Sequence, residues 1–279
     1  MNRFVRFTFI LFVICSCNKS HTPQLAQIGS IKIITVGINK AVVTNIIVST
    51  GNASLLAKGL CWSSSNALPA IENSPFSTGG ITNSSSSDTV KGLIYNSKYY
   101  IRAYATNEIG TSYSAVDSFS TLPSKYSVGQ SAEGGNVLYI DSTGEHGLIA
   151  AGSVYVASRR WADDVWTKLG VTQTGYGTGF SNTINIINAG NNGNGTAAVY
   201  CSNLVADGYD DWFLPSIEEM WLFRNNLTFA QWLSYPWNIY WSSSEASGHE
   251  AFFVVIGGLA SYDRETKDIS YSVLPMRRY

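Results

Sequence analysis

The stretch that most limits what this chain can fold into spans residues 208–245. It opens GYDDWFLPSIEEMWLF and closes YWSSSE. Trp212-Phe213-Leu214 reads as a short buried strand entering a turn at Pro215. Ser216 followed by Glu219 has the form of a capping box: the hydroxyl accepts from the third helical amide and the carboxylate reaches back to the cap N–H. Ile217, Met220, Trp221 and Leu222 then face several directions, so this helix must be buried on more than one side. Residues 240–245 read as a strand with a polar exit. Residues 251–258 and 272–276 read as its sheet neighbours, joined by a turn region at 260–268. A helix packed on such strands is an α+β arrangement.

The chain has 279 residues, which suggests two domains. It is 45% hydrophobic and 13% charged, so it can bury cores rather than stay disordered. The Pro/Gly/Ser-rich joint LPSKYSVGQSAEGG places the boundary near residue 124, with a C-terminal domain over 125–279. In that domain VLYI and GLIAA form a hairpin about Asp141-Ser142-Thr143-Gly144. Residues 158–169 fit a short helix or an aromatic-pinned loop. Gly175, Gly177 and Gly179 precede Asn182-Thr183, which can cap a helix over 182–189. This glycine run lacks both the dinucleotide-binding spacing and a phosphate-binding lysine, so it reads as a tight loop feeding a helix. A second helix is expected over 196–205, with Ala197, Val199, Cys201 and Leu204 inward and Asp207-Gly208 as its stop.

Upstream, IKIITVGI and AVVTNIIVST are β-rich runs separated by Asn39-Lys40. Tyr99, Ile101, Ala103 and Ala105 alternate with Tyr100, Arg102, Tyr104 and Thr106, the period of a half-buried strand. Residues 107–110 are its turn and 112–121 its partner. Leu93, Tyr99, Ile101, Ala105, Asn107 and Gly110 resemble a fibronectin type III domain around its tyrosine corner. GLCWSSS with YYIRAYATNEIGTSY is similar to the variant in bacterial surface lipoproteins. The resemblance implies an all-β sandwich over 29–122, serving as a spacer, with the Tyr99 hydroxyl bonded to backbone near Leu93. Trp62 fits a core position or a sandwich edge better than a ligand platform.

The N-terminus reads as an address. Arg3 and Arg6 precede a short apolar run at 7–14, and Ile14-Cys15-Ser16-Cys17 follows. The run is too short to span a bilayer and has the layout of a secretory signal. It resembles a bacterial lipoprotein lipobox. The resemblance implies a signal peptide over 1–16, acylation of Cys17 and a tether over 17–28. It places the protein in the cell envelope, at the outer membrane of a Gram-negative bacterium, with the membrane as partner through the acylated Cys17. Cys61 and Cys201 are then expected to be buried thiols.

Over 130–279 the order of GG-VLYID, GLIAA, DWFLPSIEEM, YWSSSE and the closing Pro-Met-Arg-Arg resembles the C-terminal domain of the Lcl collagen-like adhesin. The resemblance implies an α+β domain of C-type-lectin-like architecture. In the adhesin this domain is implicated in oligomerisation, as a homotrimer, and in binding sulfated glycans. Two departures bear on the ligand. Leu274 stands where the family carries an Arg, removing a partner for an acid such as Glu245. Residues 125–279 also carry nine Lys/Arg and fifteen Asp/Glu, a net of −6, which opposes a sulfated ligand.

An anionic domain exerts no pull on nucleic acid. The three histidines are scattered and no Cys/His cluster exists, so no metal and no cofactor is expected. Asp210 and Asp211 read as ordering the turn before Trp212, with calcium as the alternative. Glu218 and Glu219 are adjacent on a helix and do not share a face. Ser242-Ser243-Ser244 lacks the setting of a nucleophile elbow. The chain therefore reads as a non-catalytic binding or adhesion module for glycan or surface protein. The candidate ligand residues are Trp237, Tyr240, Trp241 and Glu245. The alternatives are an oligomerising protein-interaction module, or an accessory to a carbohydrate-processing enzyme.

Overall fold

The computed structural model describes residues 22–279 except 46, 80–85, 165, 167, 227–234, 237 and 257–260. The Cys17 lipidation site and the signal lie outside the described residues. The chain divides into two compact units. One comprises the segments up to Ile34, Val43–Asp88 and Tyr100–Ser118; the other comprises Thr35–Val42, Thr89–Tyr99 and Phe119–Tyr279.

The N-terminal module is built of β1 (Gln27–Ile28), β2 (Lys32–Val36), β3 (Ala41–Asn45), β4 (Ile47–Ser49), β5 (Leu55–Ser63), β6 (Ser86–Val90), β7 (Lys98–Asn107), β8 (Gly110–Tyr113) and β9 (Asp117–Ser120). These form sheets in the orders β1-β4, β2-β3-β6 and β5-β7-β8, with β9 also on β7. The division into units passes through β2, β3, β6, β7 and β9. Along β7 the expected alternation holds, with Tyr99, Ile101, Ala103 and Ala105 buried. The Tyr99 hydroxyl accepts from the Ile94 N–H at 3.0 Å, one residue past the expected anchor. Tyr104 breaks the alternation: it is buried, its hydroxyl donates to the Ser77 carbonyl at 2.9 Å, and its ring meets Phe76 edge-on. Cys61 is buried, as its apolar surroundings in β5 require, and Trp62 is half-buried.

The second unit carries β10 (Ser131–Ala132), β11 (Gly135–Ile140), β12 (Gly147–Ala151), β13 (Ala157–Arg160), α1 (Gly179–Asn188), α2 (Ala197–Ser202), α3 (Ile217–Asn226), β14 (Ile239–Glu245), β15 (Glu250–Val255), β16 (Tyr262–Thr266), β17 (Ser270–Val273) and β18 (Met276–Arg278). Strands dominate and α-helices are few. One sheet has the order β10-β11-β12-β18 and the other β13-β17-β14-β15-β16, antiparallel apart from the β14/β17 pair. The β11–β12 turn is closed by Asp141 Oδ1, which accepts from the N–H groups of Thr143 and Gly144. One core gathers Leu138, Phe213, Met220, Phe223, Tyr240 and Leu274; another gathers Trp161, Ile186, Cys201, Leu214 and Trp241.

Several local expectations need correction. Residues 262–266 form strand β16, because backbone pairing to β15 overrides their polar, turn-like composition. Residues 212–214 contribute a single bridge, Phe213 to Met276, rather than a strand. The first helix begins at Gly179 after Thr178, so Asn182 and Thr183 lie inside it and are buried. Their side chains bond to Ser243 Oγ and to the Leu214 carbonyl instead of capping. The segment after β13 is irregular and pinned by Trp161, whose indole N–H donates to the Ser242 carbonyl at 2.8 Å.

Candidate binding site

The strand β14 was expected to expose a ligand edge, and the geometry closes it. β14 is third in a five-stranded sheet, and its pattern is buried from Tyr240 through Ser244. The Tyr240 hydroxyl donates to the Pro236 carbonyl at 2.7 Å, and burial pushes its phenol well above the usual range. The Trp241 ring packs on Tyr271 and Phe253. Ser242, Ser243 and Ser244 are all fully buried, and their hydroxyls bond within the fold, to the Phe252 carbonyl, the Asn182 amide and the Gln173 carbonyl. Trp237 lies outside the described residues.

Glu245 is equally enclosed. Its carboxylate accepts from Lys267 Nζ at 2.6 Å and from the N–H groups of Leu169 and Gly170, both at 2.8 Å. Lys267 also donates to the Gly248 carbonyl and lies over the Trp161 ring. The partner of Glu245 is thus a lysine from the β16–β17 connection. Tyr240, Trp241 and Glu245 are core and core-anchoring groups, corrected from the ligand role expected of them. The physical reason is that β17 and β15 flank β14 on its two edges, while Tyr240 packs into the core with Met220 and Phe223 of α3 and Trp241 into the core with Ile186 of α1 and Cys201 of α2.

Ser216 and Glu219 form the expected capping box, with Ser216 N–H on Glu219 Oε2 at 2.8 Å and Glu219 N–H on Ser216 Oγ at 3.3 Å. The Glu219 carboxylate also accepts from the N–H groups of Gly177 and Gly179, so one buried acid holds both the cap and the glycine loop. Burial raises its pKa, against the pull of these donors. Asp211 orders its surroundings through Arg277, which donates to both of its oxygens and to Glu133 while stacking on Tyr209. Among the described residues, no group of three or more His, Cys, Asp or Glu is placed to hold a metal ion.

An open cleft lies beside this core. It has a volume of about 300 Å³ and is lined by Thr174, Ile217, Glu218, Trp221, Phe252 and Tyr262. The first turns of α3 supply Glu218 and Trp221, which share a helix face at i, i+3. Strands β15 and β16 supply Phe252 and Tyr262. The Trp221 and Tyr262 rings meet at 5.7 Å and 83°, making two walls at right angles. Tyr262 is 58% exposed, so this wall is open to solvent. Glu218 Oε2 accepts from the Tyr176 N–H at 2.9 Å, which holds the carboxylate in place. Among the described residues no Lys or Arg pairs with it. Sequence reasoning missed this site because residues 260–268 read as a turn. The i, i+3 placement of an acid and a tryptophan on a helix was the available signal.

No family model matches the chain, and no curated protein matches it. Among solved structures it is similar to fibronectin type III domains over part of its length. The third fibronectin III domain of the human KIAA0343 protein is 18% identical, covering 42% of this chain and 96% of that one with a TM-score of 0.30. The domain of human fibronectin type III domain containing protein 3 is 20% identical, covering 38% and 93% at 0.26. The FN1–FN3 domains of chicken CNTN1 are 18% identical, covering 44% and 40% at 0.29.

Proposed function

We propose that this protein is a lipid-anchored cell-envelope lipoprotein, at the outer membrane of a Gram-negative bacterium. Residues 29–122 act as a fibronectin type III-like spacer. Residues 125–279 act as a non-catalytic binding module of the Lcl C-terminal type, with C-type-lectin-like architecture, for a glycan or protein ligand. The observation that carries the binding role is the open cleft whose aromatic walls, Trp221 and Tyr262, stand beside the carboxylate of Glu218. Aromatic faces stack on the apolar faces of sugars, and a carboxylate accepts from their hydroxyls. The non-catalytic reading is supported by the groups that could have been nucleophiles: Ser242, Ser243 and Ser244 are sealed in the core.

A glycan array probed with the purified protein tests this reading. Binding to at least one saccharide class, lost on Trp221→Ala, is the expected result. An array that stays blank for the wild type would remove the glycan ligand. Anchoring is tested separately: Cys17→Ser is expected to move the protein from the membrane fraction to the soluble fraction and to abolish fatty-acid labelling.

A further inference from the structure

We infer that the cleft selects a saccharide bearing a free, protonated amine, a hexosamine unit, over both N-acetylated and sulfated sugars. This rests on the proposed glycan-binding role of the same cleft and specifies its ligand class.

The reasoning starts from the charge of the lining. Glu218 is the one ionisable carboxyl or cationic side chain among the lining residues. It sits in the first turn of α3, where the helix dipole favours a negative charge. The Tyr176 N–H fixes one of its oxygens. Two arginines stand on adjoining positions, and each has a partner other than Glu218. Arg264, opposite Phe252 in the β15–β16 register, reaches Glu250 at 3.7 Å. Arg224 lies over the Trp221 ring and donates to Asn225 Oδ1 at 2.9 Å.

A ligand that fills the cleft strips water from the Glu218 carboxylate. A neutral sugar returns only hydroxyl hydrogen bonds for that loss. A sulfated sugar adds repulsion, in a domain that already carries net negative charge. An ammonium group returns a charge-assisted hydrogen bond, and its field also meets the π-faces of Trp221 and Tyr262. The sugar ring carrying the amine supplies the flat apolar face that the aromatic walls need.

The test uses the purified protein and three probes: a fully deacetylated glucosamine tetramer, its N-acetylated counterpart and a heparin tetrasaccharide. Calorimetry at about pH 5, below the range where such amines lose their proton, is expected to favour the free-amine tetramer roughly tenfold. That preference is expected to vanish in Glu218→Gln, an exposed and isosteric change that spares the fold. It is also expected to vanish at about pH 9, where the amine is neutral. Trp221→Ala should abolish binding of both uncharged and amine-bearing forms. Equal binding of the two tetramers, unaffected by Glu218→Gln, overturns the amine selectivity and leaves the glycan-binding role intact. Heparin binding that depends on Trp221 also overturns it. Binding of none of the three probes, alongside a blank array, removes the binding role and the inference together.

Discussion

At the scale of single residues, two acids held by hydrogen bonds, Glu245 and Glu133, show how this domain uses charge. Glu245 and Lys267 expose 2% and 0% of their side chains and meet at 2.6 Å. Removing one partner of such a pair strands the other, at a cost of about 3–5 kcal/mol. Lys267→Met is therefore expected to lower stability by that amount in urea unfolding. Adding Glu245→Gln should recover part of the loss, because Gln keeps an acceptor for the N–H groups of Leu169 and Gly170 but carries no charge. A double variant as unstable as the single one would show that Lys267 acts through packing alone. Glu133 supplies a pH signature. The Tyr126 hydroxyl foremost, with Lys125 and Arg277, holds its carboxyl down to about 2. A depressed folded-state pKa contributes stability above the ordinary carboxylate range and loses it as pH falls. The wild type should thus lose this contribution between the ordinary value of 4.5 and about 2. Glu133→Gln should be less stable at neutral pH and lose less across that window. Parallel acid-unfolding curves for the two proteins would contradict the assignment.

At the scale of elements, the glycine loop and the start of α1 are locked to the start of α3. A Cβ on Gly179 would fall 2.2 Å from Glu219 Oε2 and 2.8 Å from both the Phe213 ring and the Ser216 nitrogen. Three rigid neighbours cannot all move aside, so Gly179→Ala is expected to cost roughly 1–3 kcal/mol of stability. Gly175→Ala, whose Cβ would meet only Thr178 Cγ2 at 3.8 Å, is the matched control and should be near neutral. Melting temperatures of the two variants decide: a tolerated Gly179→Ala would mean the loop is not held as described. The same element junction explains why Glu219 stays as an acid. A glutamine there would bring an N–H₂ group toward backbone donors that need acceptors.

At the scale of the whole molecule, Cys61 and Cys201 lie one in each unit and report on both. Burial pushes the Cys61 thiol up to about 11 and the Cys201 thiol well above its ordinary range. Only the thiolate reacts. With Cys15 and Cys17 replaced by Ser, the folded protein is expected to be inert to Ellman's reagent at about pH 8 and to titrate both thiols in strong denaturant. Fast labelling of one thiol before unfolding would show that its unit opens on its own. Charge is divided as unevenly as structure: residues 18–124 carry seven Lys/Arg and four Asp/Glu, against nine and fifteen over 125–279. The excess acid lies in the domain that bears the cleft, which favours a cationic ligand approaching it.

Much of the local structure was determined by the sequence alone. The period-two run over residues 99–106, the bond from the Tyr99 hydroxyl to backbone near Leu93 and the Ser216/Glu219 cap depend on contacts or patterns within a few residues. Such patterns survive in any tertiary setting. Only the tertiary structure decided what lay across the fold. Period and polarity set which side of β14 each residue faces, but not whether that side is covered. A five-stranded sheet with helices against it buried Tyr240, Trp241 and three serines together. Glu245 found its lysine 22 residues away, a pairing no spacing rule specifies. The cleft joins a helix face to a polar edge strand that reads as a turn, because edge pairing stabilises β16 through backbone hydrogen bonds that side-chain composition does not record.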